Sequence, residues 1–409
     1  MRKNIIIGIS LIGLILLGAR LGLCDNEKKK KDELYRQVEL FSDTLAIIHK
    51  EYVDDTLPKD LIYGALKGML SSLDAHSQFM DPDTYNELKE ETEGKFGGLG
   101  IEITIKDGLL TIITPIEDTP AWKAGLKPGD RIVKINNELT REMLLTDAVK
   151  KMRGKPGEIV DLAVLRDSEK KLLDFKITRA VIKIKDIKHA RILEDGIGYI
   201  RLVEFRENTP QELNNALGNL SKQRMNALII DLRNNPGGLL DAAVKITGKF
   251  IQPNKMIVYT KGRQFDQNLE FYSNTKNAIL DLPLVILINQ GSASGSEIVA
   301  GALQDYKRAI IIGTKSFGKG SVQSVVPLRD GSALRLTTSR YFTPSGKIIN
   351  GKGVTPDIEV ETEKAADSKN KPVEDVFNYK DDPALARAVD ILKALKFYKE
   401  AKQENRHEK

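Results

Sequence analysis

Three short segments carry groups that could break a covalent bond. The first is Asn289-Gln290-Gly291-Ser292-Ala293-Ser294-Gly295-Ser296-Glu297, between an apolar run and a helical pattern. Its small residues let a substrate backbone approach closely. Free N–H groups at a helix start can stabilise an oxyanion, so a serine placed there is well positioned as a nucleophile. Taken alone, the segment reads first as a helix-capping serine beside a tight turn. The second is Phe317-Gly318-Lys319-Gly320-Ser321-Val322-Gln323, a lysine flanked by glycines between two apolar runs. A buried lysine can lose its proton near neutral pH and act as a general base. If the segment is extended, Lys319 and Gln323 share a face, and Gln323 can hold the amine; the plainer alternative is a solvated loop lysine. The third is Asp231-Leu232-Arg233-Asn234-Asn235-Pro236-Gly237-Gly238. Its glycines can offer N–H groups to an anion, or simply turn a strand into a helix.

Other chemistries find less support. The four histidines, His49, His76, His189 and His407, all lie far in sequence from these segments. A Ser-His-Asp triad assembles in space and stays open, but a Ser-Lys pair is more economical. There is no HExxH pairing and no Cys/His cluster, which argues against a zinc enzyme, and no cofactor is expected. Asp305 stands 11 residues after Ser294. On a helix that is roughly 16 Å, too far for a direct relay, so Asp305 is read as structural.

These segments need an α/β frame to position them. From Gly196 onward strand and helix patterns alternate, with Ala227–Leu232 and Leu284–Asn289 as continuous apolar strands of the kind buried on both faces. A hairpin is expected around Arg329-Asp330-Gly331. Residues 33–92 read as helices, with Leu34, Val38, Phe41, Leu45 and Ile48 at helical spacing. Between Phe96 and about Ala180 the chain reads as short strands and turns with one helix, Leu144–Met152. Residues 362–380 are charged and read as a linker, and Ala384–Phe397 as an amphipathic helix.

Composition narrows the setting. The 409 residues suffice for two or three domains. Net charge is +6, but residues 1–31 hold seven basic and two acidic residues, leaving 56 and 55 for the rest. The body is nearly neutral and shows no footprint for nucleic acid. Arg2 and Lys3 precede an uncharged run from Asn4 to Ala19, the pattern of a secretory signal or an uncleaved membrane anchor. Cys24, the sole cysteine, leaves lipidation open despite the bulky Leu23 before it, and excludes an intrachain disulfide. Export to the periplasm, or to the cell-envelope side of the inner membrane, is the expectation.

Together the three segments resemble the carboxyl-terminal processing peptidases, or tail-specific proteases. The family's nucleophile motif is similar to Gly291–Ala300, placing its serine on Ser294. Its lysine falls on Lys319 and its assisting glutamine on Gln323. The glycine motif at Asp231–Gly238 implies oxyanion donors at Gly237 or Gly238, together with Gly295. Leu73-Asp74-Ala75-His76-Ser77 matches a structural family motif. The segment 96–178 resembles a PDZ domain, with Gly98-Leu99-Gly100-Ile101 as its loop for a peptide's terminal carboxylate; the family suggests that Arg153 links ligand occupancy to the protease. Gly295 departs from a more usual alanine.

The resemblance, over roughly residues 35–362, implies a serine endopeptidase that recognises protein C-terminal tails; with the leader and the C-terminal stretch read from their own composition, the expected architecture has five parts. These are a signal or anchor with basic linker (1–31), an N-terminal helical segment (32–94), a PDZ domain (95–179), a protease core of crotonase/Clp-protease-like repeated ββα units (180–362), and a charged linker with C-terminal helix (363–409). It also implies a homodimer through the terminal segments. Two rivals remain at this point: a tail-binding PDZ scaffold with a non-catalytic core, and a hydratase of related fold. The scaffold has no need of both Ser294 and Lys319. The hydratase would want catalytic carboxylates near its oxyanion loop and no PDZ insertion.

Overall fold

A computed structural model describes residues 31–167, 169, 171–361 and 378–407. The proposed leader, but for Lys31, and most of the charged linker lie outside these residues. The chain divides into two units, one ending at Asp81 and one beginning at Pro82.

In the first unit, α1 (residues 31–51) and α2 (Pro58–Ser71) are the expected helices, and Gln78–Met80 forms a short strand, β1. Pro58 at the first turn of α2 supplies a helix-compatible φ without losing a needed N–H. Asp74 accepts from the N–H groups of His76 and Ser77, which fixes the turn after α2. The apolar series of α1 remains open: Leu34 is 63%, Val38 55%, Phe41 43% and Ile48 38% exposed.

The second unit begins with α3 (Pro82–Glu93) and β2 (Lys95–Gly98). An antiparallel sheet follows, in the order β3 (Ile101–Lys106), β4 (Leu109–Pro115), β5 (Arg131–Ile135), β7 (Ile159–Arg166), β8 (Lys171–Thr178). The two-residue β6 (Glu138–Leu139) pairs with β5, and two helices, α4 (Pro120–Lys123) and α5 (Leu145–Met152), complete this small β-rich body. Its core gathers Leu110, Ile112, Ile132, Ile135, Val160 and Leu162. The chain leaves through β9 (Ala180–Lys183), antiparallel to β2, so one two-stranded ribbon carries both crossings to the rest of the unit.

A second sheet runs β10 (Ile187–Ile192), β11 (Ile197–Leu202), β12 (Ala227–Asp231), β15 (Leu284–Ile288), β16 (Ile310–Gly313), β19 (Ile358–Glu359), parallel except for the β10–β11 pair. Every residue of β12 and β15 is buried, as the unbroken apolar runs predict. Period-two alternation divides β12 between faces. Leu228 and Ile230 join the core under α6 (Thr209–Lys222), α7 (Leu240–Gly248) and α8 (Gly295–Asp305); Ala227 and Ile229 face the other way.

That other face is covered by α9 (Pro383–His407), whose Leu385, Ala388, Val389 and Leu392 are buried in it. Full burial of such a leucine or valine is worth roughly 1.5–3 kcal/mol, so the C-terminal helix is part of the core. A further antiparallel layer comprises β13 (Met256–Gly262), β14 (Glu270–Tyr272), β17 (Ser321–Pro327) and β18 (Ala333–Phe342). The sequence reading found the β17–β18 hairpin but assigned no strands at 256–262 or 270–272.

Candidate active site

Ser294 sits where the fully buried β15 gives way to α8, at φ 51° and ψ −111°. An L-residue in that region is strained, and strain of this kind persists only where surrounding contacts enforce it. The enforcing contacts are polar and buried. Ser292 Oγ donates to Leu232 O (2.7 Å) and accepts from Asn289 N (2.9 Å). Ala293 N (3.0 Å) and Ser296 Oγ (2.9 Å) both donate to Asn235 O. The nucleophile turn is thus fastened to the Asp231–Gly238 segment.

Gly237 explains part of that segment's composition. A Cβ on Gly237 would lie 2.6 Å from Ser294 Cβ and 2.7 Å from Gly295 N, and its φ is +104°. Its N–H donates to Asn235 Oδ1 at 2.9 Å. Of the two glycines offered as oxyanion donors, Gly237 therefore has its N–H engaged. Those of Gly238 and Gly295 donate to no acceptor among the described residues.

Behind the glycines stands a buried ionic cluster. Asp231, fully buried, accepts from Tyr199 Oη (2.9 Å), from Arg201, and from the backbone and guanidinium of Arg233. Arg233 in turn makes a two-pronged contact with Asp382, at 2.8 and 2.6 Å, just before α9. Burial works to raise the Asp382 carboxyl, and the Arg233 pairing outweighs it, holding the group below its usual range.

Lys319 lies in the loop between β16 and β17. It lines the same cavity as Ser294, about 680 Å³ in volume, with Gly238, Gln323, Arg335 and Tyr341 also in the wall. Burial first, and the Arg335 charge second, push its ammonium below the ordinary lysine value. Among the described residues no hydrogen bond joins Lys319 Nζ to Ser294 Oγ. Gln323 likewise does not hold the lysine amine. Its amide donates to Ser321 Oγ (2.9 Å) and Thr337 Oγ1 (3.4 Å). Gln323 and Lys319 nonetheless line the same cavity, as side chains on one face would.

The residue that ties the two halves together is Glu297, fully buried on the first turn of α8. Its Oε2 accepts from Ser294 N and Lys319 N, both at 2.9 Å. Its Oε1 accepts from Ser316 Oγ at 2.5 Å and Gly318 N at 2.6 Å. Burial raises the Glu297 carboxyl, and these four donors oppose it. Sequence reasoning quoted Glu297 without giving it a role. The signal was there: Ser-x-x-Glu at a helix start is a capping box. Tyr341, buried, donates to Lys319 O. Burial drives its phenol well above the usual value, the Ser294 hydroxyl acting against that rise. Nothing local in the sequence marks Tyr341 or Arg335, which reach the cavity by strand pairing alone.

The remaining site residues lie in the β-rich body. The carbonyls of Leu99 and Gly100 accept from Ala121 N (2.9 Å) and Ile116 N (2.8 Å). The N–H groups of Leu99 and Gly100 donate to no acceptor among the described residues. Gly100 has φ +81°, and a Cβ there would meet Thr119 at 2.4 Å. Gly98 ends β2 and Ile101 begins β3. Arg153, half-buried after α5, stacks its guanidinium 4.6 Å above the Phe96 ring in β2. No cluster of metal-ligating side chains occurs among the described residues.

Comparison with known proteins gives a consistent picture. Residues 196–360 match Peptidase family S41, residues 111–166 match the PDZ domain, and residues 20–84 match the activating protease CtpB N-terminal domain. The carboxy-terminal-processing protease of Bartonella bacilliformis is 43% identical over 360 residues, 87% of this chain and 81% of that protein. The carboxy-terminal processing protease CtpB of Bacillus subtilis is 36% identical over 340 residues, 82% and 69% of the two chains. A solved structure from Bacteroides fragilis described as an S41 protease shares the fold, with TM-score 0.50 and 17% identity over 86% of this chain and 97% of that one.

Proposed function

Since the chain belongs to the carboxy-terminal processing serine proteases of peptidase family S41, we propose that its peptide-bond hydrolysis runs on a Ser294/Lys319 dyad acting on substrates held by their C-terminal tails. Neutral Lys319 takes the Ser294 proton as Oγ attacks the scissile carbonyl. The resulting ammonium returns a proton to the departing amine, leaving an acyl-enzyme. Water then attacks the ester, Lys319 accepts its proton and passes it to the departing Ser294 Oγ, which frees the acid product and restores the neutral amine and the hydroxyl. The N–H groups of Gly238 and Gly295 receive the oxyanion, each such donor being worth about 3 kcal/mol of barrier.

The observation that carries this reading is the shared cavity: a strained serine, a lysine with a lowered pKa and Gly238, whose N–H meets no acceptor among the described residues, open onto one space. No hydrogen bond joins Ser294 and Lys319 among the described residues, and on this reading the arrangement is a resting one. Catalytic hydrogen bonds often tighten only with substrate bound, and a rotation of the Lys319 side chain is the step that substrate must bring about. In the PDZ domain, the free N–H groups of Leu99 and Gly100, flanked by Gly98 and Ile101, suit a terminal carboxylate while the tail adds a strand. The stacking of Arg153 on Phe96 of the ribbon strand β2 supports the reading that it passes tail occupancy toward the core.

Export and dimerisation belong to the same proposal. The basic start and apolar run at 4–19 support a signal or anchor, and the exposed apolar series of α1 supports a homodimer through the terminal segments. Among the described residues no helix is long and apolar enough to cross a membrane. The test is a library of peptide tails assayed with wild type and Ser294→Ala. Cleavage should depend on the tail and vanish in the variant; tail-independent cleavage refutes PDZ capture, and cleavage by Ser294→Ala refutes the nucleophile.

A further inference from the structure

Arg335 stands out in the cavity wall. It lies in β18 opposite Val325 of β17, half-buried, and lines the same space as Ser294 and Lys319. No carboxylate or carbonyl bonds its guanidinium among the described residues. Other wall arginines are not so placed: Arg206 is paired with both Asp186 and Glu204. A guanidinium presents five donors in a fork matched to a carboxylate. Its charge helps keep the Lys319 amine neutral, and its donors remain open to a ligand entering the cavity. The same wall also carries apolar side chains, among them Leu88, Leu239, Leu240, Ile298, Val322 and Val325.

We propose that Arg335 is a specificity residue that anchors a carboxylate of the bound peptide beside the scissile bond. That carboxylate is either an acidic side chain or the chain's own terminus, with apolar neighbours packed against the wall. The inference rests on this cavity being the site of cleavage. A carboxylate on Arg335 would also neutralise the cation nearest Lys319. The charged groups facing the cavity are Glu91, Glu204, Arg206, Asp241, Lys319 and Arg335; of these, Arg335 alone perturbs the lysine by its charge.

The test compares full-length wild type, Arg335→Gln and Arg335→Lys on four matched peptides. These carry Glu or Gln beside the cleaved bond, and a free or amidated C-terminus. Wild type should prefer one carboxylate-bearing form by about tenfold to a hundredfold in kcat/KM, the worth of a charge-assisted hydrogen bond. Preference for Glu identifies a side-chain carboxylate; preference for the free terminus identifies the chain end. In Arg335→Gln that ratio should fall toward one, and in Arg335→Lys part of it should survive. Removing the cation also raises the Lys319 pKa, so the acid limb of the pH–rate profile should move to higher pH in Arg335→Gln. An equal loss on all four peptides with an unmoved acid limb would overturn the proposal, as would no wild-type preference. Cleavage by a Ser294→Ala control would instead overturn the reading beneath it.

Discussion

The two halves of the proposed dyad are held in opposite ways. Ser294 is fixed by its backbone: a strained φ, a turn laced to Asn235 and Leu232, and Gly237 packed against its Cβ. Lys319 is also held through backbone, its N–H on Glu297 and its carbonyl on Tyr341, but its amine has no hydrogen-bond partner among the described residues. The nucleophile is preorganised, whereas the base is anchored at its root and free at its tip. Under the proposed mechanism, this contrast would place activation on the lysine side, with the oxyanion site already in position.

Three substitutions probe that contrast. Gly237→Ala strikes the rigid half, since the new Cβ has no room beside Ser294. Displacement of the nucleophile by a fraction of an ångström should cut kcat by about 100-fold or more, read from steady-state cleavage; a near-normal kcat would mean the turn is less constrained than its contacts indicate. Glu297→Gln strikes the tie between halves. One amide oxygen cannot serve four donors, and leaving buried donors unmet costs about 1–3 kcal/mol each. Activity should fall about 10- to 100-fold and the melting temperature should drop with it. A fall in activity with unchanged melting would assign Glu297 to the chemistry instead.

The smallest effect comes from the far side of the glycine segment. Asp382→Ala removes the partner of Arg233 and should destabilise by about 2 kcal/mol, less than a fully buried pair because the Asp382 side chain is 28% exposed. Its sign with pH follows from the lowered carboxyl. The contribution is present above the unfolded value of about 3.9 and is lost as pH falls through the lower folded value. Melting curves of wild type and variant should therefore differ at pH 7 and converge in acid.

Much of this frame is readable from local pattern. Unbroken apolar runs gave β12 and β15, and alternation gave the small β-rich body. Small residues at strand ends marked the Ser294 and Gly237 turns. What escaped depends on contacts distant in sequence. Asp382 reaches Arg233 across 149 residues, from beyond a charged stretch that reads as linker. Arg335 and Tyr341 enter the cavity only because β18 folds back on β17. For Gln323, period two places the side chain in the cavity with Lys319, while its hydrogen bonds to Ser321 and Thr337 depend on strand pairing. Gly237 and Gly238 look interchangeable in sequence, and only Asn235 Oδ1 distinguishes them.

The measurement that bears most directly on the dyad is the pH dependence of Ser294 acylation by a serine-directed probe, in wild type and in Lys319→Met. The account predicts a wild-type rate that climbs with pH through a single ionisation below the ordinary lysine value of about 10.4, and a loss of about 10⁴-fold in the variant. Labelling of Lys319→Met at the wild-type rate with the same pH profile would contradict it.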